Sequence, residues 1–213
     1  MSSSYNPGPR LNAIFKLVAQ VQQQNPYQFI WDCCCDHGYL GIKILREDLC
    51  DRLVFVDQVP HIMEQLAARL ESVNTDKHQL ITADASDLCF DSQQRHLLIF
   101  AGVGGERTVD IISAIEARHP DVRLDYIFCP STSQHALRDY LAERDFGLGF
   151  ESLVLEKGRY YEMLYVQGKA ATGELPGVSK TCHLWDADDP DHQRYLGQLS
   201  QHEHLKRPRG KQD

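Results

Sequence analysis

The stretch that decides the fold is residues 29–38, Phe-Ile-Trp-Asp-Cys-Cys-Cys-Asp-His-Gly. Its first three residues form an apolar run, which predicts a short buried strand. The remaining seven, residues 32–38, predict a loop at the end of that strand, after which Gly38 opens a helix. Ligands of open α/β sheets bind at the carboxyl ends of the strands, so this loop is the first candidate for a binding site.

The alternation of apolar runs and helical stripes continues along the chain. Further strands are predicted at residues 53–56, 80–81, 96–100 and 124–128, and amphipathic helices at 10–23, 38–47, 60–73, after 105, and at 133–145. Strands that alternate with helices form parallel β-α-β units with right-handed crossovers. Residues 151–155 and 160–166 instead flank Lys-Gly-Arg at 157–159, which predicts a β-hairpin.

This order of elements predicts an α/β fold. It resembles the sheet of Rossmann-like class I methyltransferases, so we expect parallel strands closed by an antiparallel β-hairpin, with helices on both faces. Residues 1–168 would form this domain, including its N-terminal helix. Residues 169–213 are polar and rich in His, Asp and Gln, so we expect a C-terminal tail that is short or weakly ordered, with one helix near 192–201.

Composition places the chain among soluble globular proteins. It has 213 residues, 42% of them hydrophobic and 24% charged. No apolar run approaches the ~20 residues of a membrane span, and the first ten residues carry no apolar signal segment, so we expect a cytoplasmic protein without membrane contact. The formal net charge of −8 argues against broad, nonspecific nucleic-acid binding but leaves a local basic patch open.

The seven cysteines predict reduced thiols rather than a disulfide framework. Cys33, Cys34 and Cys35 are consecutive, and adjacent strand residues point to opposite faces, which is poor geometry for pairing. Zinc sites use spaced pairs such as Cys-x-x-Cys, and the chain has none. We therefore expect no metal.

Acidic and glycine-rich segments follow the other predicted strands as well. Asp57 follows the second, Asp84 the third, and Ala-Gly-Val-Gly-Gly at 101–105 the fourth. S-adenosylmethionine needs a carboxylate for its ribose hydroxyls, a polar group for adenine and free helix N–H groups for its own carboxylate. Asp57 would bind the ribose hydroxyls and Asp84 the adenine. The helix that Gly38 opens would bind the carboxylate of the cofactor. The predicted cofactor-binding residues are Asp32, Cys34, Gly38, Asp57, Gln58, Asp84, Ala85, Ala101, Gly102 and Gly104.

Other readings of these residues stay open. An Asp after a strand often only caps a helix or a turn. Asp36 and Tyr39 have structural alternatives too, as a helix cap and as a packed aromatic residue. A nicotinamide dinucleotide is disfavoured, because its pyrophosphate needs several glycines for close backbone contact and only Gly38 stands in this loop.

Four motifs resemble those of the bacterial tRNA adenine-22 N1-methyltransferases. Asp-His-Gly-Tyr-Leu at 36–40 is similar to the family's Ser-Asp-His-Ala-Tyr-Leu-Pro, and residues 101–105 are similar to its Ala-Gly-Met-Gly-Gly. Glu-Lys-Gly-Arg-Tyr-Tyr-Glu at 156–162 resembles its Glu-x-Gly-Lys-x-Tyr-Glu hairpin, and Arg10-Leu11 matches an Arg-Leu pair that opens its first helix. The resemblance spans residues 8–167.

The resemblance implies transfer of a methyl group from S-adenosyl-L-methionine to N1 of adenine in tRNA or a related structured RNA, with S-adenosyl-L-homocysteine as product. Asp36 and Tyr39 are then the candidate catalytic residues, because Asp36 would stabilise the cationic product and Tyr39 would stack on an extruded base. The candidate substrate-binding residues are Arg10, Gly105, Pro130 and Ser131. The basic segment 206–211 either contacts RNA phosphates or is a solubilising tail.

The chain departs from the family pattern at three places. Cys34-Cys35 stands where the family has Gly-Ser, Gly41 where it has Pro, and Cys129-Pro130-Ser131 where it has Gln-Pro-Asn. The last change removes amide groups that recognise a base edge. Two alternatives therefore stay open: a methyltransferase of a small molecule or protein, and a non-catalytic regulatory module that binds S-adenosylmethionine.

Overall fold

The computed structural model describes residues 7–73, 75–144, 146–168, 175–181 and 188–206. The helices are α1 (Pro9–Gln24), α2 (Tyr39–Arg46), α3 (Pro60–Leu70), α4 (Gly105–Arg118), α5 (Gln134–Ala142) and α6 (Pro190–Lys206), with one 3₁₀ turn at Ala85–Asp87. The strands are β1 (Phe29–Cys33), β2 (Arg52–Asp57), β3 (His78–Thr82), β4 (His96–Ala101), β5 (Leu124–Cys129), β6 (Gly147–Glu156) and β7 (Arg159–Gln167). No helix of these residues is long and apolar enough to cross a bilayer.

Seven strands form one mixed sheet in the order β3-β2-β1-β4-β5-β7-β6. Strands β1 to β5 are parallel to one another, whereas β7 is antiparallel to both β5 and β6. The predicted fold class is therefore confirmed. Because β7 runs against β5, the hairpin turn from which it starts lies at the same edge as the carboxyl ends of the parallel strands.

The parallel strands β1, β2, β4 and β5 are buried on both faces, as expected for a sheet covered by helices on two sides, whereas β3 at the edge of the sheet is only partly buried. Alternate residues of each strand point to opposite sides, so Leu53 and Phe55 pack with α1, α2 and α3. Val54 and Val56 pack on the other face with α4 and α5. This two-sided packing explains why the strands read as continuous apolar runs rather than as alternating ones.

The hairpin between β6 and β7 turns in two residues. Lys157 and Gly158 both adopt left-handed backbone conformations, with φ of 51° and 77°. Two successive positive φ values are typical of the type I′ turn, whose twist matches that of the flanking strands. The pairing of β5 with β7 ends at Phe128 and Leu164, so residues 156–162 extend beyond the carboxyl end of β5.

The C-terminal helix α6 is attached to the outer strands by two tyrosines. Tyr195 is buried and its hydroxyl donates to Glu162 Oε1 at 2.8 Å, while the Tyr160 hydroxyl donates to Asp191 at 2.8 Å. The polar composition of residues 169–213 did not predict this docking. The boundary at residue 168 stays a prediction, and the basic segment 207–211 lies outside the described residues.

Candidate functional site

A cavity of about 200 Å³ opens at the carboxyl edge of the sheet, over the ends of β1, β2 and β3. Five predicted cofactor-binding residues line it: Cys34, Asp57, Gln58, Asp84 and Ala85. The other lining residues are Val56, Ala83, Val103, Arg107 and Ile111. The cavity is smaller than the roughly 300–1,000 Å³ of complete small-molecule sites, so it accounts for part of a nucleoside-sized ligand.

Asp57, the last residue of β2, presents a buried carboxylate to this cavity. Its Oδ2 accepts the backbone N–H of Asp36 at 3.1 Å, and its Oδ1 accepts that of Val59 at 3.0 Å. The two donors fix the orientation of the carboxylate. Each carboxylate oxygen can accept a second hydrogen bond, which leaves capacity for ribose hydroxyls.

The loop between β1 and α2 follows an unusual backbone path. Cys34, Asp36 and Gly38 all have left-handed φ values, of 55°, 48° and 68°. Only Gly38 is the residue type that adopts this region without strain, and a Cβ there would lie 2.5 Å from Leu66 Cδ1. At Asp36 the backbone N–H donates to Asp57, which holds the loop in this path.

The Cys34 side chain forms part of the cavity wall. Burial, together with the negative charge of Asp57, raises the pKa of this thiol to about 11. The thiol is therefore neutral at physiological pH. A neutral thiol is a weak nucleophile, and the predicted contact of Cys34 with a cofactor stays a prediction.

Asp84 lies on the far side of the cavity and starts the 3₁₀ turn. Its Oδ1 accepts the backbone N–H of Ser86 at 2.9 Å, and its Oδ2 accepts from Arg107 Nη2 at 2.5 Å. These contacts hold the pKa of Asp84 below its usual value, the Ser86 N–H being the largest contribution. Arg107 was missed by the sequence analysis, although its place in the first turn of α4, after the glycines, was a usable signal.

Asp32 is buried beneath the loop and does not line the cavity. Its Oδ2 accepts the backbone N–H of Gly41, in the first turn of α2, at 3.1 Å. Burial raises the pKa of Asp32 to about 7, although the Gly41 hydrogen bond opposes that shift. This contact makes Asp32 a residue that fixes α2, and its predicted contact with a cofactor stays a prediction.

The loop after β4 meets the N-terminal helix at Gly102. This residue has a φ of 93°, and a Cβ placed on it would lie 3.3 Å from Arg10 Nη1. The Arg10 guanidinium also lies 5.1 Å from the centre of the Tyr161 ring and 3.7 Å from Glu156. Within the described residues, Arg10 Nε and Nη1 are buried without a hydrogen-bond partner. The structure thus brings two predicted site residues, Arg10 and Gly102, into contact.

The loops after β4 and β5 are joined by backbone contacts. Ser131 N donates to Val103 O at 2.9 Å, and Gly105 N donates to Thr132 O at 2.8 Å. A Cβ on Gly105 would lie 2.1 Å from Ser133 O, and one on Gly104 would lie 2.8 Å from Thr132 Oγ1. These glycines permit close packing of the two loops, and Ala101 pairs with Cys129 in register just below them. Pro130 is buried between these contacts.

Of the candidate catalytic residues, Asp36 lies in the loop before α2 and Tyr39 is the first residue of α2. The Asp36 side chain is 65% exposed, and the ring of Tyr39 lies 5.6 Å from that of His37. The Arg69 guanidinium lies 5.3 Å from the Tyr39 ring centre, and it donates to the carbonyl oxygen of His37 at 2.9 Å. An exposed carboxylate and a partly buried aromatic ring are therefore available beside the Asp57 contact. Neither residue lines the cavity itself.

No group of three or more His, Cys, Asp or Glu side chains among the described residues is arranged to hold a metal ion. The expectation of a metal-free protein stays a prediction. The six cysteines in the described part of the chain are free thiols.

Comparison with known proteins extends these observations. A family profile described as "Methyltransferase domain" matches residues 8–164. A protein of Mycoplasma pneumoniae, provisionally named a tRNA methyltransferase, is 30% identical over 169 residues, which cover 78% of this chain and 74% of that protein.

Two solved structures share the fold. The B. subtilis m1A22 tRNA methyltransferase TrmK has a TM-score of 0.72 at 16% identity, covering 94% of this chain and 85% of that one. The M. capricolum TrmK, solved with S-adenosylhomocysteine, has a TM-score of 0.69 at 17% identity, covering 94% and 87%. At these identities the likeness shows the fold alone.

Proposed function

The chain belongs to the methyltransferase-domain family, and on that premise we propose that it transfers a methyl group from S-adenosylmethionine to N1 of an adenine in tRNA. The observation that carries the proposal is the cavity shared by Asp57, Asp84 and Cys34, which adjoins the loop at 101–105. The 30% identical relative and the motifs at 36–40, 101–105 and 156–162 support a tRNA substrate. A tRNA substrate also supports action in the cytoplasm.

The residues of the cavity fit S-adenosylmethionine. Asp57 would accept the two ribose hydroxyls, since its carboxylate is fixed and keeps free acceptor capacity. Val56, Val103 and Ile111 provide apolar surface for a purine, and the backbone at Ala85 offers polar groups for its edge. Gly38 is the N-cap of α2, and the N–H groups without helical partners at this end of the helix favour a carboxylate.

Methyl transfer to adenine N1 requires no general base from the protein. Adenine N1 keeps a lone pair at neutral pH, so no proton has to be removed before the transfer. S-adenosylmethionine, when bound, supplies an electrophilic methyl group on its sulfonium. The contribution of the chain is to hold N1 in line with that group, and well-aligned reactants lower a barrier by ~7–11 kcal/mol.

Asp36 and Tyr39 would contact the target base. Methylated adenine is cationic, and the exposed Asp36 carboxylate would stabilise that charge. Tyr39 would stack on the extruded base, because enzymes that modify a base in a helix must first remove it from the stack. The Arg69 guanidinium over the Tyr39 ring would hold that ring in place.

The test is methyl transfer to an unmodified tRNA transcript, using labelled S-adenosylmethionine. We expect label in the transcript and a reverse-transcription stop at one adenine, because N1-methylation blocks the pairing edge. A transcript with guanine at that position is the control and should take up no label.

Three other outcomes point elsewhere. Transfer to protein or small molecules of a cell extract, but to no RNA, would make the chain a methyltransferase of another substrate. Calorimetric binding of S-adenosylhomocysteine without any transfer would make it a regulatory module. Absence of binding would overturn the proposal at its premise.

A further inference from the structure

The tip of the β6–β7 hairpin places cationic side chains over the substrate side of the sheet. The cofactor cavity lies over β1 to β3, whereas the hairpin adjoins β5 and the loop at 130–133. Arg159 at the tip lies five positions before Leu164, which pairs with Phe128 of β5. At the rise of a strand the tip therefore projects about 16 Å beyond the Phe128–Leu164 pair. It forms a wall beside the loops that carry Gly102 and Ser131.

The one carboxylate at the tip is already neutralised. Glu156 Oε1 accepts the backbone N–H of Arg10 at 3.2 Å, and Glu156 Oε2 lies 3.7 Å from Arg10 Nε. A carboxylate at the start of a helix is stabilised by the helix dipole, so Glu156 is bound to α1. Lys157 and Arg159 make no ion pair with any described residue. Their charges are left facing solvent.

Arg159 is nevertheless fixed in position. Its Nη2 donates to the carbonyl oxygen of Ser131, and its guanidinium lies 5.4 Å from the centre of the Tyr161 ring. Arg10 approaches the same ring at 5.1 Å, so two guanidinium groups lie against Tyr161. The guanidinium has five N–H donors, and the bond to Ser131 uses one of them. The remaining donors are available to an anionic ligand.

Asp191 of α6 pairs with Arg194 and forms no ion pair with this patch. Asp191 of α6 accepts the hydroxyl of Tyr160, and consecutive strand residues point to opposite faces. Asp191 therefore lies on the face opposite to Arg159 and Tyr161. The positive patch, made of Lys157 and Arg159, lies on a chain whose net charge is −8, so it is a local feature.

We propose that this patch is the RNA-backbone contact of the substrate side, with Lys157 and Arg159 binding phosphates that flank the methylated adenine. Tyr161 and the Ser131 carbonyl act as positioning groups, because they hold the Arg159 guanidinium over the loops after β4 and β5. A planar guanidinium held in this way suits the geometry of a phosphate. The inference rests on the proposed function and identifies the residues that would bind the backbone of the RNA substrate.

The test compares two double variants that remove the same charge. Lys157→Gln with Arg159→Gln removes the patch. Arg52→Gln with Lys77→Gln is the matched control, because Arg52 also donates to a backbone carbonyl, that of Asp76, but at the opposite edge of the sheet. Binding to a tRNA transcript is measured at several salt concentrations, and binding of S-adenosylhomocysteine is measured by calorimetry.

For the patch variant we expect the dissociation constant for tRNA to rise roughly tenfold, the size of one charge-assisted hydrogen bond. The slope of log K against log salt should fall by about 0.7–0.9 for each lost phosphate contact. S-adenosylhomocysteine binding should stay at the wild-type value, and the control should match wild type in both measurements. The single variant Lys157→Gln should show part of the effect, and Lys157 contributes no described contact to the fold.

The failures are distinguishable. If wild type methylates tRNA and the patch variant matches the control in affinity and salt slope, the inference is overturned and the proposed function stands. If wild type neither binds nor methylates tRNA, the proposed function fails and the inference fails with it. A patch variant that loses S-adenosylhomocysteine affinity as well would show a structural role and would also overturn the inference.

Discussion

The backbone N–H of Asp36 donates to the carboxylate of Asp57 at 3.1 Å, so the proposed catalytic carboxylate is positioned by the proposed ribose ligand. The two residues are 21 positions apart: Asp57 ends β2, and Asp36 lies in the loop after the adjacent parallel strand β1. This contact joins the cofactor side of the site to the start of α2. A substitution at Asp57 should therefore affect both cofactor binding and the position of Asp36.

Asp57→Ala should raise the dissociation constant of S-adenosylhomocysteine roughly 10- to 100-fold, because hydrogen bonds to a charged group are lost. Methyl transfer should fall further than binding does, since Asp36 loses its backbone anchor. Isothermal calorimetry and initial rates measure the two effects. Asp87→Asn is the control, because Asp87 lies in the 3₁₀ turn beside the same edge but pairs outward with Arg118. An unchanged affinity in folded Asp57→Ala would remove Asp57 from the site.

Gly102→Ala should destabilise the fold by about 1–3 kcal/mol from backbone strain, with a further contribution from contact with Arg10. Gly158→Ala separates the two effects, because Gly158 also has a positive φ but a Cβ there meets nothing within 4 Å. The free energy of unfolding in urea measures both. In the background of Arg10→Ala, the excess cost at Gly102 should shrink. Equal costs at Gly102 and Gly158 would contradict the contact.

Asp32 should make the stability of the protein depend on pH. Its folded-state pKa of about 7 lies above that of an unfolded Asp, so its contribution to stability is full below pH 4 and is lost as the pH rises through 7. Asp32→Asn removes this loss and should raise the free energy of unfolding at pH 8 by roughly 2–4 kcal/mol.

The free energy of unfolding is measured for Asp32→Asn and for wild type across pH. The difference between the two curves separates the effect of Asp32 from that of His96. Burial lowers the pKa of His96, so His96 contributes a stability that is lost as the pH falls below its unfolded value. That contribution is common to both proteins and cancels in the difference. A flat curve for Asp32→Asn would show that the buried carboxyl does not titrate as described.

Tyr195→Phe should loosen α6 from the sheet. Its hydroxyl donates to Glu162, a buried carboxylate that also accepts from Arg138 Nε at 2.5 Å, so the loss should be about 1.5–3 kcal/mol. Tyr160→Phe loses a bond to the more exposed Asp191 and should cost about 0.5–1.5 kcal/mol. Trypsin cleavage at Arg194, within α6, and urea unfolding measure the two variants. Equal sensitivity in both would argue that Glu162 does not anchor the helix.

The fold class was readable from the chain because it depends on local periodicity. Apolar runs of strand length, separated by helical stripes, force parallel β-α-β units, and the residues after each strand then meet at one edge. Asp57, Asp84 and Cys34 accordingly line one cavity at this edge, and their contact with a cofactor stays a prediction. The hairpin was equally visible, since Lys157-Gly158 is a turn signal between two strands.

Only the tertiary structure decided which way the polar side chains point. Asp32 turns to α2, Arg107 enters the cavity from α4, and Arg10 reaches Gly102 from another part of the chain. Tyr195 docks a helix whose composition predicted a weakly packed tail. These contacts join residues far apart in sequence, and each depends on the angle between packed elements, a quantity that the period of an apolar pattern does not contain.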